Sequence, residues 1–377
     1  MEVFLIILAL VSLLIGAYGS VALTEAGQII NLPRDWVFGY FKHKRKLSIA
    51  IAILAAVVVF SAVSNSLFTP IGLTLYALAV VACLFFINIF APIMWLRTQQ
   101  YGAKFMSVAE AESRLADDTD VFVLEIDGDA RAYPRDSMQV PHIVGDKVGG
   151  KETVMSYCAL SNLPVAFNPN INGKDTDLKV IAQVNNNLIF TDTKTGELYQ
   201  QVTATGEYSK TELEQYPVQR MTWGAFKALY PEGKVFDYKP NALDKLTLKL
   251  FDNALKDHYA GKPLFPTLNM NDKRLDSSVK IWGVVDGNEA VAAHPESFSE
   301  TSKIQTEING KSVLFVHFES YQTVGAFWVD HSRDWTNAEI SVYGECEGEK
   351  LPRAKLFSGM PWMVWSHWFP HGSILKG

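Results

Sequence analysis

The chain has 377 residues, of which 48% are hydrophobic, and its formal net charge is −6. The length is sufficient for a membrane portion and one or two packed domains. Residues 1–104 contain seven Lys and Arg against three Asp and Glu, whereas the remainder contains 27 against 37. Because this acidic remainder lacks the clustered cations that neutralise phosphates, we exclude nucleic acid as a main partner.

Three almost uncharged apolar segments occupy most of the first hundred residues, at 3–23, 47–63 and 71–96. At a rise of about 1.5 Å per residue, each can cross a hydrocarbon core roughly 30 Å thick. We therefore predict three transmembrane helices in a membrane region of residues 1–104. The first segment could instead be a signal peptide, but it lacks a basic n-region and two further segments follow it.

Basic residues are distributed unevenly around these segments. The basic positions beside the segments are Arg34, Lys42, Lys44, Arg45, Lys46, Arg97, Lys104 and Arg114. The loop of residues 64–69 carries no charge. The positive-inside rule therefore predicts a multi-pass protein of the cell membrane with its amino terminus outside and its globular portion in the cytoplasm.

Short strands and turns follow the third segment. Ser107 and Glu110 have capping-box spacing, which predicts a short helix reaching about Leu115. β-Branched and aromatic residues predict strands at 121–126, 153–158, 165–168, 178–184, 188–192 and 197–202. Gly and Asn between these strands tolerate the positive φ of tight turns. The pattern predicts a β-rich meander.

Two passages of the globular portion resemble each other closely. Residues 221–236 align without gaps with residues 360–375, and Met, Trp, Pro and Gly coincide. Weaker similarities pair 123–134 with 283–295, and 155–167 with 315–327. Because the order is the same in all three pairs, we predict an internal duplication.

This duplication defines the predicted domains. A first β-rich copy covers residues 105–236, a connector covers 237–279, and a second, diverged copy covers 280–377. The predicted fold class is three N-terminal transmembrane α-helices followed by a β-rich α+β portion built of two related copies.

Several short motifs punctuate the first copy. They are Gly128–Pro134, Pro141–Val144 followed by Gly149-Gly150, Tyr157–Leu160, Asp192–Gly196 with Tyr199 and Gln201, and Trp223–Pro231. Together they resemble the bacterial family known as domain of unknown function 3179, well over residues 107–236 and loosely over 280–375. The resemblance implies a fold and a polar signature but no reaction. Because such relatives are often exported, it also implies an extracytoplasmic domain as the alternative placement.

Cys158 and His142 are the candidate catalytic and metal-binding residues. A thiolate is a strong nucleophile and a soft-metal ligand when a nearby cation lowers its pKa, and a neutral imidazole can ligate a metal or relay protons. The alternatives are a buried cysteine that packs as a small hydrophobe and a histidine bonded only to a backbone carbonyl. Relatives often carry Pro after this cysteine and sometimes a second cysteine three positions on. Ala159 and Ser161 at these positions weaken a two-cysteine metal site.

Arg131, Tyr133 and Asn162 are the candidate ligand-binding residues. Arg131 and Tyr133 alternate in a strand and therefore share a face, where a guanidinium could hold a carboxylate or a phosphate. The alternative for Arg131 is an internal ion pair. Asn162 offers amide groups near a turn. No histidine of the second copy aligns clearly with His142, so we predict that the first copy alone keeps the reactive groups.

The predicted function is a multi-pass membrane protein whose first copy holds a polar ligand, a soft transition metal or a reactive thiol. No nucleotide-binding motif is present, so a nucleotide partner is not predicted. The alternative is a non-catalytic binding or assembly module that joins another membrane protein through the regions of Trp223 or Trp362. His367 and His371 flank Pro370, which would interrupt a helix, so we predict packing roles for them.

Overall fold

The computed structural model describes residues 1–91 and 98–375. These residues form two compact units. The first unit contains residues 1–91 with the short segments Val180–Asn185 and Phe265–Thr267, and the second contains the other described residues. Most of the β-rich portion is therefore in the second unit.

Long apolar helices make up most of the first unit. The helices are α1 (Glu2–Ala22), the short α2 (Glu25–Ile29), α3 (Arg34–Asn65) and α4 (Pro70–Phe85), which a π-helical segment continues over Phe86–Phe90. Within the described residues, three helical segments are long and apolar enough to cross a membrane. The prediction of three N-terminal apolar helices is thus confirmed. Residues 92–96 of the third predicted span, and Arg97, lie outside the described residues.

Helix α3 is longer than the apolar span predicted within it. The basic positions from Lys42 to Lys46 lie inside the helix, whereas the sequence placed them in a loop. Lys and Arg are good helix formers, and their long stems let the charged ends reach water while the helix continues. The helix begins at Arg34, immediately after Pro33.

Small residues on α1 allow the helices of the first unit to approach closely. Gly19 lies against the Tyr40 ring so tightly that a methyl group would overlap it, and a Cβ on Gly16 would be 2.9 Å from the Cβ of Cys83. The hydroxyl of Ser12 lies 2.7 Å from that of Tyr76. Such small-residue contacts and interhelical hydrogen bonds are typical of helices packed within lipid.

The β-rich portion is built mainly of short strands. Those of its first half, up to residue 236, are β1 (Thr98–Gln99), β2 (Phe105–Ser107), β3 (Asp120–Ile126), β4 (Asp129–Pro134), β5 (Ile143–Val148), β6 (Lys151–Cys158), β7 (Leu163–Phe167), β8 (Asn170–Ile171), β9 (Lys174–Asp175), β10 (Leu178–Val184), β11 (Asn187–Asp192), β12 (Leu198–Gln200), β13 (Thr205–Gly206), β14 (Gln215–Tyr216), β15 (Gln219–Thr222) and β16 (Lys234–Phe236). Two short helices, α5 (Val108–Glu112) and α6 (Trp223–Leu229), accompany them. The predicted capping box at Ser107 and Glu110 is present at the start of α5.

The remainder begins with a helix. This helix is α7 (Ala242–Tyr259). The later elements are β17 (Lys280–Asp286), β18 (Glu289–Ala293), β19 (Lys303–Ile308), β20 (Lys311–Phe318), β21 (Thr323–Val329), β22 (Glu345–Cys346), β23 (Glu349–Lys350), β24 (Leu356–Pro361), α8 (Trp362–Trp368) and β25 (Ser373–Leu375). The prediction of a β-rich globular portion is therefore confirmed.

Two sheets enclose the core of the first half. Their strand orders are β15-β3-β4-β16-β2 and β1-β5-β6-β7-β14. Alternate residues of β3 face opposite sides, so Phe122 packs with Tyr133 and Tyr157 in one core cluster while Val123 packs with Trp223 of α6 in another. Both faces of β3 and β4 are therefore covered by buried apolar side chains.

The later half has the same order of elements as the first. A hairpin, β17–β18, is followed by a 3₁₀ turn, the antiparallel meander β19-β20-β21, and then β24, α8 and β25. Strand β25 runs parallel to β18, as β16 runs parallel to β4. The strand orders β24-β17-β18-β25 and β15-β3-β4-β16 therefore correspond position by position.

Helix α7 lies in the stretch that the sequence assigned to a connector, residues 237–279. Asn241 and Asp244 form a second capping box at its start, with Asn241 accepting from the Asp244 N–H at 2.9 Å. Asn with Asp at this spacing is a less common form of the motif than Ser with Glu. No helix was predicted in this stretch, although the leucines at 243, 246 and 250 have helical spacing.

Candidate functional site

Arg131 is held in an internal ion-pair network on β4. Its Nε donates to Asp146 at 2.5 Å, its terminal nitrogens pair with Asp129, and one of them donates to the Lys147 carbonyl at 3.2 Å. Only 4% of the Arg131 side chain is exposed. Burial alone would raise the pKa of the Asp129 carboxyl, but the Arg131 guanidinium outweighs it and the pKa is lowered. Arg131 thus makes internal ion pairs, and its role in binding a ligand stays a prediction.

Tyr133 lies beside Arg131 on the same face of the sheet. The Tyr133 ring packs edge-on against the Phe105 ring, with 5.8 Å between the ring centres. The Arg131 guanidinium lies 5.8 Å from the centre of the Phe105 ring. Tyr133 is fully buried, and its hydroxyl has no hydrogen-bond partner among the described residues. Tyr133 is therefore a core residue with an unsatisfied polar end.

His142 precedes β5 and bonds to the backbone of β6. Its Nδ1 lies 3.0 Å from the Tyr157 carbonyl, and its own carbonyl accepts from the Tyr157 N–H at 2.8 Å. Because a carbonyl only accepts, Nδ1 carries a proton and donates it to the Tyr157 carbonyl. Burial lowers the pKa of His142 to about 4.

Cys158 ends strand β6 and is fully buried. Its Sγ lies 3.6 Å from the carbonyl of Asn186, to which the thiol donates. Burial raises the pKa of the Cys158 thiol, although the hydroxyl and N–H of Ser161 act in the opposite direction. In the described part of the chain, no group of three or more His, Cys, Asp and Glu side chains is placed to hold a metal ion. Thiol chemistry and a soft metal at Cys158 and His142 stay predictions.

Asn162 joins a different set of polar groups. It has a positive φ of 52° after β6, and its side-chain oxygen accepts from the Tyr157 hydroxyl at 3.0 Å. Its amide nitrogen donates to the carbonyl of Gly359 on β24 at 2.7 Å. Arg131 and Tyr133 thus both contact the Phe105 ring. His142 and Cys158 lie along the backbone around Tyr157, whereas Asn162 binds the Tyr157 hydroxyl. A common ligand for all five residues stays a prediction.

Arginine side chains converge near this hydroxyl. Arg135 follows β4 directly and donates from Nε to the Tyr157 hydroxyl at 3.1 Å, and its guanidinium lies 5.1 Å from the centre of the Tyr259 ring. Arg220 on β15 pairs with both carboxylate oxygens of Asp120, with its Nε 2.9 Å from one of them. The Nε of Arg135 lies 4.0 Å from the same carboxylate. Two guanidinium groups therefore share one carboxylate.

Lys280 adds a third cation from the later half. It is the first residue of β17 and is exposed, and no ion pair involves it within the described residues. Partial desolvation, together with the positive charges of Arg220 and Arg135, lowers the pKa of its ammonium group. We call Asp120, Arg135, Arg220 and Lys280 the cationic cluster.

The cationic cluster was not predicted from the sequence. Asp120 and Arg220 are a hundred positions apart and meet through the pairing of β3 with β15, and Lys280 belongs to the predicted second copy. Arg135 alone carried a signal, because it directly follows the Arg131–Pro134 motif. Charged residues without a motif spacing cannot be distinguished from ordinary surface charges in a single sequence.

A bulge on β24 makes room for Arg220. The register between β17 and β24 shifts at this point, since Ile281 lies opposite Met360 and Trp282 opposite Ser358. Gly359 is the extra residue, with a φ of +76°. A Cβ at Gly359 would overlap the Arg220 guanidinium, which donates to the Ser358 carbonyl at 3.2 Å. Bulges commonly aim side chains near functional sites.

The tryptophans proposed for partner docking lie in the interior. Trp223 and Trp362 are both fully buried, and His367 accepts the Asn269 N–H at 2.9 Å. Helix α8 ends at Trp368, before Pro370, as its position predicted. A partner would therefore have to bind another surface of these regions.

Replacing Gly359 by alanine should destabilise the domain more than the same change at Gly348. Both glycines have positive φ, at 76° and 86°, but nothing lies within 4 Å of a Cβ at Gly348. Gly348→Ala should cost about 1–2 kcal/mol from backbone strain alone. Gly359→Ala should cost roughly 2 kcal/mol more, since the Arg220 fork must move. Urea unfolding followed by tryptophan fluorescence measures both, and equal costs would contradict the placement of Arg220.

Acid should destabilise the fold partly through His142. Below the ordinary pKa of 6.5 the unfolded chain binds a proton at this histidine, whereas the folded chain stays neutral down to about 4. Stability is therefore fully present above pH 6.5 and falls toward pH 4, by about 3 kcal/mol in total. His142→Asn keeps an N–H donor without titrating, so its free energy of unfolding should depend less on pH across this window. An unchanged dependence in urea unfolding at pH 7, 6 and 5 would refute the assignment.

Comparison with known proteins adds a family to this geometry. A search of curated proteins and a search of solved structures found no match to the chain. A family model described as a protein of unknown function (DUF3179) matches residues 101–372. This match includes the cationic cluster, Cys158 and His142, and it covers well over half of the chain. The chain therefore belongs to the DUF3179 family.

Proposed function

We propose that this protein is a membrane-anchored binding protein whose globular domain takes a small oxyanion, a carboxylate or a phosphate, at the cationic cluster. The observation that carries the proposal is the excess of positive charge. Arg220 and Arg135 both lie at the Asp120 carboxylate, and Lys280 opens β17 beside the part of β24 that Arg220 contacts. The portion beyond residue 104 is strongly acidic overall. A local excess of cations in an acidic domain favours an anionic ligand.

The side chains of the cationic cluster differ in how many of their polar atoms already have ion-pair or hydrogen-bond partners. Arg220 is committed to Asp120 and to the Ser358 carbonyl. Arg135 lies only at the limit of an ion pair with Asp120, and a quarter of its side chain is exposed. Lys280 has no ion pair in the described chain and is accessible. Arg135 and Lys280 are therefore the cations that would contact a ligand, and Arg220 and Asp120 would position them.

Aromatic and amide groups hold Arg135 in place. The Tyr157 hydroxyl accepts from Arg135 and donates to Asn162, and the Tyr259 hydroxyl donates to the Ala159 carbonyl at 2.5 Å. Burial raises the pKa of the Tyr157 hydroxyl, so it stays a neutral donor and acceptor. A guanidinium fixed in this way loses little conformational entropy when it binds a carboxylate or phosphate.

We also propose that the globular portion arose by duplication of one domain. Supporting this, Asp120 and Lys280 each open the first strand of a hairpin, and Arg220 and Gly359 each precede a Met before a Trp-led helix. The hydrogen bonds are reciprocal as well. Asn162 donates to the Gly359 carbonyl, and Thr323 donates to the Arg220 carbonyl at 2.6 Å. A relative that carries one copy and forms no twofold dimer would argue against this origin.

Neutralising Arg135 or Lys280 should weaken oxyanion binding. We expect the full-length protein in detergent to bind phosphate or citrate saturably in isothermal titration calorimetry. Arg135→Gln and Lys280→Gln should each raise the dissociation constant about tenfold, since each removes one charged contact. Lys174→Gln, which removes an exposed charge on β9, is the matched control and should bind as the unmodified protein does. Equal weakening in all three variants, or no binding of either anion, would count against the site.

We propose that the globular domain faces the cytoplasm, as the basic residues around the apolar segments indicate. The native Cys158 and Cys346 are buried and do not serve as labelling sites. A Lys174→Cys variant places a thiol at an exposed position on the short strand β9. A membrane-impermeant maleimide should label it only after the cells are permeabilised, compared with the unmodified protein. Labelling in intact cells would establish the extracytoplasmic alternative.

A further inference from the structure

Helix α7 carries an exposed row of leucines. Leu243, Leu246 and Leu250 are 40%, 53% and 67% exposed. Among the described residues from 98 to 375, these three are the exposed large aliphatic side chains. Their spacing of three and four places them along one stripe of the helix. The second unit therefore concentrates its exposed aliphatic surface on a single helix face.

The opposite side of α7 attaches it to the domain. Asp244 and His258 are its buried residues. His258 donates from Nε2 to the Leu160 carbonyl at 2.7 Å, and its Nδ1 accepts the Leu264 N–H at 3.2 Å. Tyr259 binds the neighbouring Ala159 carbonyl. Leu255 also packs against a core cluster of the first half. All these contacts leave the leucine stripe exposed, so the stripe is not needed for attachment.

Lysines lie next to the leucine stripe. At 100° per residue, Lys245, Lys249 and Lys256 fall on the flank of the exposed face, beside Leu246. Lys256 is paired with Asp252 at 2.6 Å, whereas Lys245 and Lys249 have no ion pair in the described chain. An apolar stripe with lysines along its edge is the pattern of a helix that lies in a membrane surface.

We propose that α7 is an interfacial helix, which inserts Leu243, Leu246 and Leu250 into the bilayer and places Lys245 and Lys249 at anionic headgroups. The apolar helices of the same chain keep the domain beside a bilayer, which raises the effective concentration of lipid at α7. The free lysines favour lipid over a protein groove, because anionic lipids attract basic groups at the membrane surface. This proposal does not depend on the oxyanion site.

Lipid contact can be measured on the full-length protein in nanodiscs. A Leu246→Cys variant, in a Cys83→Ser background, carries an environment-sensitive fluorophore, since Cys158 and Cys346 are buried. Brominated phospholipids should quench this label. The matched control is Asp252→Cys, an exposed position about 120° around the helix from Leu246 and beyond the lysines, whose label should remain in water and unquenched.

A second comparison separates lipid from protein contact and tests the lysines. Lys245→Gln with Lys249→Gln should reduce the quenching at position 246 in discs that contain phosphatidylglycerol, and should change it little in purely zwitterionic discs. Equal quenching at positions 246 and 252 would overturn the proposal. A blue-shifted label at 246 without quenching by lipid would also overturn it, in favour of a protein partner.

Discussion

The backbone pairing of β15 with β3 places the Arg220 fork on the Asp120 carboxylate, and the remaining nitrogen of the fork bonds to the Ser358 carbonyl of β24. About 14% of the Arg220 side chain and 29% of that of Asp120 are exposed, so this pair contributes modestly to stability. Its larger effect is geometric. Because Arg220 occupies both oxygens of the Asp120 carboxylate, Arg135 and Lys280 lack a full negative counter-charge. The oxyanion site that we propose depends on this excess of positive charge.

The site is assembled from both halves of the globular portion. The first half supplies Asp120, Arg135 and Arg220, and the later half supplies Lys280 and the bulge at Gly359. The bulge is as necessary as the charges, because a side chain there would occupy the space of the guanidinium. Neither half would therefore hold the complete cationic cluster by itself.

Local signals in the sequence predicted much of the fold. The apolar segments gave the three N-terminal helices, and β-branched runs bounded by Gly and Asn gave strands within one or two residues of β3 and β11. The site was less predictable. Asn162 was identified from its turn position, but its partners Tyr157 and Gly359 required strand pairing across the chain. Cys158 was chosen for its chemistry, and only the coordinates show its complete burial.

The reciprocal hydrogen bonds of Asn162 and Thr323 have an evolutionary consequence under the two-copy proposal. Near a pseudo-twofold axis, a residue meets its own counterpart, so identical subunits would place aspartate against aspartate and arginine against arginine. In the fused chain these positions have diverged, giving Asp120 near Lys280 and Arg220 against Gly359. Gene fusion would thus have freed these positions from contact with their own counterparts. It would have allowed the asymmetric cationic cluster, where a homodimer could form only a symmetric contact.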